Sequence, residues 1–188
     1  MLVRTFAALI ITGLALIAAP SPASAQAEGR QGPDIAEQRA AMERLSPLVG
    51  RWQGEADVVV PHALTVHQTE RVETDLTGLV LVIHGQGFAN AEHTGDAIFN
   101  AMAVVSYNDR NDIYEFRSYT ATGYATTATG AFQSDGSFRW SIVPEGSPVH
   151  VRFTIVFDAT TWREIGEISY DRGATWSRTI TLDLHKIQ

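Results

Sequence analysis

The chain has 188 residues, enough for one domain with a sizeable core. Its 21 acidic side chains outnumber 14 basic ones, and a net charge of −7 disfavours nucleic acid and anionic lipid as partners. It has no cysteine, which excludes disulfides, thiol catalysis and thiolate metal sites.

The N-terminus reads as a secretory signal peptide over Met1–Ala25. Arg4 supplies the positive start, an apolar run follows from Phe6 to Ala19, and Ala23-Ser24-Ala25 forms an A-x-A cleavage site after Pro20 and Pro22. The apolar run is shorter than the ~20 residues that span a bilayer, so no membrane anchor is expected. Export places the mature chain in the periplasm or outside the cell. Gln26–Pro33 is polar and reads as a flexible leader, and residues 34–188 as the folded domain. Asp34-Ile35-Ala36-Glu37 has the spacing of a capping box, and predicts a short helix to about Leu45.

From Trp52 onward the apolar period becomes two. Ten strand-like runs follow: Trp52–Val60, Leu64–Thr77, Leu79–Ala89, Ala97–Tyr107, Ile113–Thr120, Tyr124–Gln133, Ser137–Val143, Val149–Phe157, Trp162–Tyr170 and Thr175–His185. Between many of them lie turn formers such as Ser134-Asp135-Gly136 and Asp171-Arg172-Gly173. Short connections predict an antiparallel meander, and closure removes its edges. The expected fold is therefore all-β: an up-and-down barrel of about ten strands with one short N-terminal helix, a two-sheet sandwich being the alternative.

Strand phase selects candidate interior residues. Glu70 shares a face with Val66, Val72 and Leu76, Glu164 with Trp162, Ile168 and Tyr170, and Arg178 with Trp176, Ile180 and Leu182. An isolated buried charge is costly, so these three are expected to meet each other, water or a ligand. Tyr114 and Trp140 also fall on inward faces and offer a polar tip and an aromatic wall. Six histidines (His62, His67, His84, His93, His150 and His185) lack metal-site spacing, and no metal is expected. No nucleophile elbow, phosphate loop or dinucleotide fingerprint is present, so no catalytic residue is named.

Several motifs carry resemblances. Leu45-x-x-Leu48-x-Gly50-x-Trp52-x-Gly54 resembles the G-x-W motif of lipocalins and other calycins, and its spacing is also similar to nitrobindin and to a group of uncharacterised bacterial secreted lipocalin-like barrels. Tyr114-x-Phe116-x-Ser118, Trp162-x-Glu164-x-Gly166-Glu167 and Leu184-x-Lys186 resemble the same bacterial group. The resemblance implies that Gly50 and Trp52 are structural, the indole plugging the barrel floor beneath a basic residue, Lys186 or Arg178. Nitrobindin-like barrels hold haem through a late histidine. Here His150 and His185 fall on predicted outward faces, so haem is not expected. Arg178 resembles the arginine with which fatty-acid-binding barrels hold a carboxylate, which implies an anionic amphiphile; an ion pair with a glutamate, or stacking on Trp52, is the bland alternative. Ser169-Tyr170-Asp171-Arg172-Gly173-Ala174-Thr175-Trp176 matches the Asp-box found in sialidases. Its physical reading is a hairpin staple, in which Asp171 accepts backbone N–H groups, Gly173 supplies a positive φ and Trp176 packs beneath the turn.

The functional expectation is non-catalytic binding of a small apolar or amphipathic molecule inside the barrel. A hydrolase or isomerase using interior acids, and a filled-core structural or partner-binding module, are the alternatives.

Overall fold

The computed structural model describes residues 32–59 and 62–187. The expected signal peptide over Met1–Ala25, and the expected leader as far as residue 31, lie outside the described residues. Helix α1 spans Ile35–Glu43, and the Asp34 side chain accepts the Glu37 N–H at 3.0 Å. The backbone N–H of Asp34, which a full capping box gives to the glutamate, donates to Asp109 Oδ2 at 2.9 Å. A 3₁₀ turn over Ser46–Leu48 then leads into the first strand.

The ten strands are β1 Gly50–Val58, β2 Leu64–Asp75, β3 Val80–Phe88, β4 Phe99–Asn108, β5 Ile113–Thr120, β6 Ala125–Phe132, β7 Phe138–Ile142, β8 His150–Phe157, β9 Thr161–Ser169 and β10 Ser177–Lys186. Each pairs antiparallel with the next, and β1 pairs with β10, so the sheet closes and leaves no edge strand. The barrel therefore replaces the alternative of two packed sheets.

The floor is built from the helix and the G-x-W segment. Met42, Leu45 and Leu48 turn inward onto Trp52, which is fully buried. The indole Nε1 donates to the Leu48 carbonyl at 2.7 Å, so its polar atom is satisfied inside the core. Lys186 Nζ sits 4.7 Å from the Trp52 ring centroid and donates to the carbonyls of Pro47 and Val49 at 2.8 and 2.7 Å. The basic residue over the floor tryptophan is thus Lys186 and not Arg178. Gly50, at φ 137°, makes the turn from the 3₁₀ segment into β1.

The opposite end is the mouth. The β1–β2, β3–β4, β5–β6, β7–β8 and β9–β10 connections all meet there. Exposed apolar side chains mark those connections and the strand ends beside them, including Leu64, Phe99, Tyr124, Val143 and Tyr170. Two residues differ from the expected inward phase or its limits: Tyr170 is exposed in the β9–β10 loop, and Leu76, at the floor end, leaves β2 for a 3₁₀ turn and is 62% exposed.

Candidate functional site

A cavity of ≈ 310 Å³ lies inside the barrel. Alternation puts every second residue of a strand into it: Ala56 and Val58 from β1, Val66, Gln68 and Glu70 from β2, Glu164 from β9, Ile180 and Leu182 from β10. Among the described residues its wall carries two carboxylates and no lysine, arginine or histidine.

Glu70 is held from two sides. Gln68, two residues back on the same face, donates Nε2 to Glu70 Oε1 at 2.7 Å. Across the β2–β3 ladder Glu70 faces Gly85, where a Cβ would lie 2.6 Å from Oε1 and 2.8 Å from Oε2. Glycine at that position is what lets the carboxyl lie flat against the strand. The second oxygen, Glu70 Oε2, is buried with no hydrogen-bond partner. Burial, together with the nearby charge of Glu164, pushes the carboxyl up to about 8, against the pull of the Gln68 hydrogen bond.

Glu164 has a different shell. Trp140 Nε1 donates to Oε1 at 3.3 Å and Trp162 Nε1 to Oε2 at 3.2 Å. Burial pushes this carboxyl up to about 7, and the two indole donors oppose the shift. Trp140 is itself fixed by stacking, its ring lying 4.5 Å from Phe116 and 4.1 Å from Phe153, near-parallel to both. Gly166 makes that stack possible, because a Cβ there would come within 2.6 Å of the Phe153 ring. Trp162 stands edge-on to the floor residue Trp52, centroids 5.8 Å apart.

Of the five residues expected to bind ligand, three line the cavity: Glu70, Trp140 and Glu164. Two do not. Tyr114 is buried, but its hydroxyl donates to the Ala41 carbonyl of α1 at 2.7 Å and its ring packs edge-on against Tyr107, Phe132 and Phe138. It ties the helix to the barrel below the cavity. Arg178 is exposed and lies opposite Glu167 in register. The cause is a β-bulge: the pairing moves from Arg178↔Glu167 to Ile180↔Gly166, so Thr179 is an extra residue and the phase set by Ile180 and Leu182 does not reach Arg178 or Trp176.

Trp176 shares this correction. Its ring stacks on the Arg152 guanidinium at 3.9 Å on the outer face, where Arg152 also bonds Glu167 at 2.7 Å. Its Nε1 donates to the Gly173 carbonyl at 3.0 Å, so it closes the β9–β10 hairpin from outside the barrel. Within the hairpin Asp171 accepts from Ser169 Oγ, Thr175 N and Thr175 Oγ1 at 2.6–2.8 Å. Those donors lower its carboxyl to about 2. Gly173, at φ 89°, gives its N–H to Ser169 Oγ at 2.7 Å.

Gln68 and Gly85 were not singled out by strand phase, and Trp162, placed on the face of Glu164, was not read as its hydrogen-bond donor. Gly85 and Gly87, alternating within an apolar run, are the signal that the backbone there must be approached closely.

No family model matches the chain, and no curated protein matches it. Solved structures share the barrel, among them the following two. Rv2717c from M. tuberculosis superposes with a TM-score of 0.61 at 15% identity, over 79% of this chain and 98% of that one. The S-type phycobiliprotein lyase CpeS from Guillardia theta does so with a TM-score of 0.52 at 11% identity, over 82% of this chain and 97% of that one. At these identities the likeness is one of fold: a closed antiparallel barrel.

Proposed function

We propose that the chain is an exported protein that holds a small apolar or amphipathic molecule inside its barrel without transforming it. The observation that carries this reading is the cavity of ≈ 310 Å³, largely apolar in its lining and carrying Glu70 and Glu164 in its wall. A filled-core module has no use for that space, because native cores close to crystal-like density and each void weakens them. Haem is not part of this reading, since neither His150 nor His185 lines the cavity. The signal peptide supplies the export, and cleavage after Ala25 leaves Gln26 at the N-terminus; intact mass of the exported protein tests it, and retention of Arg4 contradicts it.

The test of binding is an organic extract of natively purified mature protein, analysed by mass spectrometry. A stoichiometric apolar or amphipathic compound is expected. Native protein that copurifies with nothing and takes up no apolar probe contradicts the reading.

A second reading, acid–base catalysis inside the barrel, has one observation in its favour. Glu70 and Glu164 sit near about 8 and 7, where a carboxyl exchanges protons at neutral pH. Its signature is turnover of the extracted compound by fresh protein, lost in Glu164→Gln. Return of the compound unchanged excludes it.

A further inference from the structure

We infer that the cavity selects a cationic amphiphile, with a primary or secondary amine seated against Glu70 and Glu164 and an apolar body running up to the mouth. The inference rests on the binding reading above and names the ligand class it leaves open.

Charge excludes the opposite class first. The wall holds two carboxylates and no basic side chain among the described residues. A fatty acid placed there would bring a third carboxyl to a site with no counter-charge. Arg178, the residue that would have received it, is outside.

Hydrogen bonding then asks for a donor. Glu70 Oε2 is buried without a partner, although Oε1 of the same group is bonded to Gln68. In the ionised carboxylate that oxygen is a buried acceptor, costly to leave unmade, and a positively charged donor satisfies it most strongly. Glu164 is oriented by two indole N–H groups that reach one oxygen each, and each carboxylate oxygen has a second lone pair to offer. A primary ammonium has three donors and a secondary one two, enough to serve both carboxylates. A hydroxyl has one.

The layout fits insertion head first. Glu70 lies midway along β2, and Glu164 lies nearer the floor end of β9 than the mouth. From there to the mouth the wall is largely apolar, through Val66, Val58 and Phe99, with Gln68, Ser118 and Thr120 its polar side chains, and the rim beyond carries Leu64 and Tyr124 exposed.

Binding is then linked to protons. The neighbours that face Glu70 are Trp52 on β1, Gly85 on β3, Gln68 on its own strand and Glu164 across the cavity. The only other titratable group among them is Glu164. The basic groups of these strands, Arg51, Arg71 and His84, occupy the alternate positions and line a second groove, to which Glu70 and Trp52 also belong. An alkylamine stays cationic through neutral pH, as a lysine does. Its arrival therefore favours the ionised carboxyls and releases protons.

The test is displacement of a neutral naphthyl probe from the mature protein by octylamine, octanol and octanoate at about pH 8. Octylamine is expected to compete about tenfold or more better than octanol, with octanoate the weakest, and to lose about tenfold on going to about pH 5. Glu70→Gln and Glu164→Gln should each erase the preference for amine over alcohol, the two ligands being compared within each variant whatever its own affinity for the probe. Octanoate competing as well as octylamine overturns the inference, and so does equal competition by octylamine and octanol. Those results leave the binding reading intact. Failure of the probe itself to bind overturns both. The comparison of the three ligands is made on the unaltered protein, so it decides the matter even if a variant does not fold.

Discussion

At the scale of single residues, Glu70 and Glu164 govern how the empty protein responds to pH. Their carboxyls are raised from 4.5 to about 8 and about 7 in the folded chain. Between about pH 4.5 and pH 8 the folded chain keeps protons that the unfolded chain has released. Stability therefore falls as pH rises through this window, and these groups cause no further fall above it. The melting temperature is expected to drop by several degrees from about pH 5 to about pH 8.5, and Glu70→Gln should flatten most of that slope. A Glu70→Gln protein with the unaltered slope contradicts the burial argument. Asp158 and Asp171, lowered to about 2 by turn hydrogen bonds, act in a separate window. Their contribution is present above about pH 4 and lost as pH falls toward 2. The two glutamates were legible in the sequence, because β2 and β9 keep strict alternation through the barrel. Arg178 was misplaced by one inserted residue. Arg178→Met is accordingly expected to leave both the fold and probe binding unchanged, as titration and circular dichroism would show.

At the scale of elements, three local features set the cavity. The first is β3, whose Gly85 leaves room for a carboxyl. Gly85→Ala drives a methyl to within 2.6 Å of Glu70 Oε1 and is expected to cost about 1–3 kcal/mol in chemical denaturation, through displacement of Glu70 from Gln68. Wild-type stability in that variant means the carboxyl is not held where the structure has it. The second is the floor, where Lys186 on β10 bonds two carbonyls flanking the 3₁₀ turn. Lys186→Met keeps the stem over Trp52 and removes those bonds; a loss of about 1–3 kcal/mol is expected. The third is the bulge at Thr179, where the Val59 N–H reaches the Thr179 carbonyl at 2.8 Å. Alternation implies strict pairing, so a bulge that interrupts it without a glycine leaves no mark in the sequence. Helix α1 was legible from Asp34 and Pro33. That Tyr114 would anchor it was not, since an inward phase does not say which end of the barrel a side chain reaches.

At the scale of the whole molecule, the regular spacing of ten runs with turn chemistry between them was enough to read a meander, and the cost of unpaired edges was enough to read closure. What could not be read was whether the interior is full. That depends on how glycines and aromatics share the space, as at Gly166 under Phe153, and on how far the helix and Trp52 rise from the floor. The hollow interior is the central claim, and titration of the mature protein with a neutral naphthyl probe, beside Ala103→Phe, tests it most directly. Ala103 is buried on β4 and lines the cavity, so a phenyl there occupies the ligand's space. The account predicts saturable binding of one probe per chain, abolished in Ala103→Phe while circular dichroism shows an intact barrel. An absence of probe binding, or binding that survives a filled cavity, would contradict it.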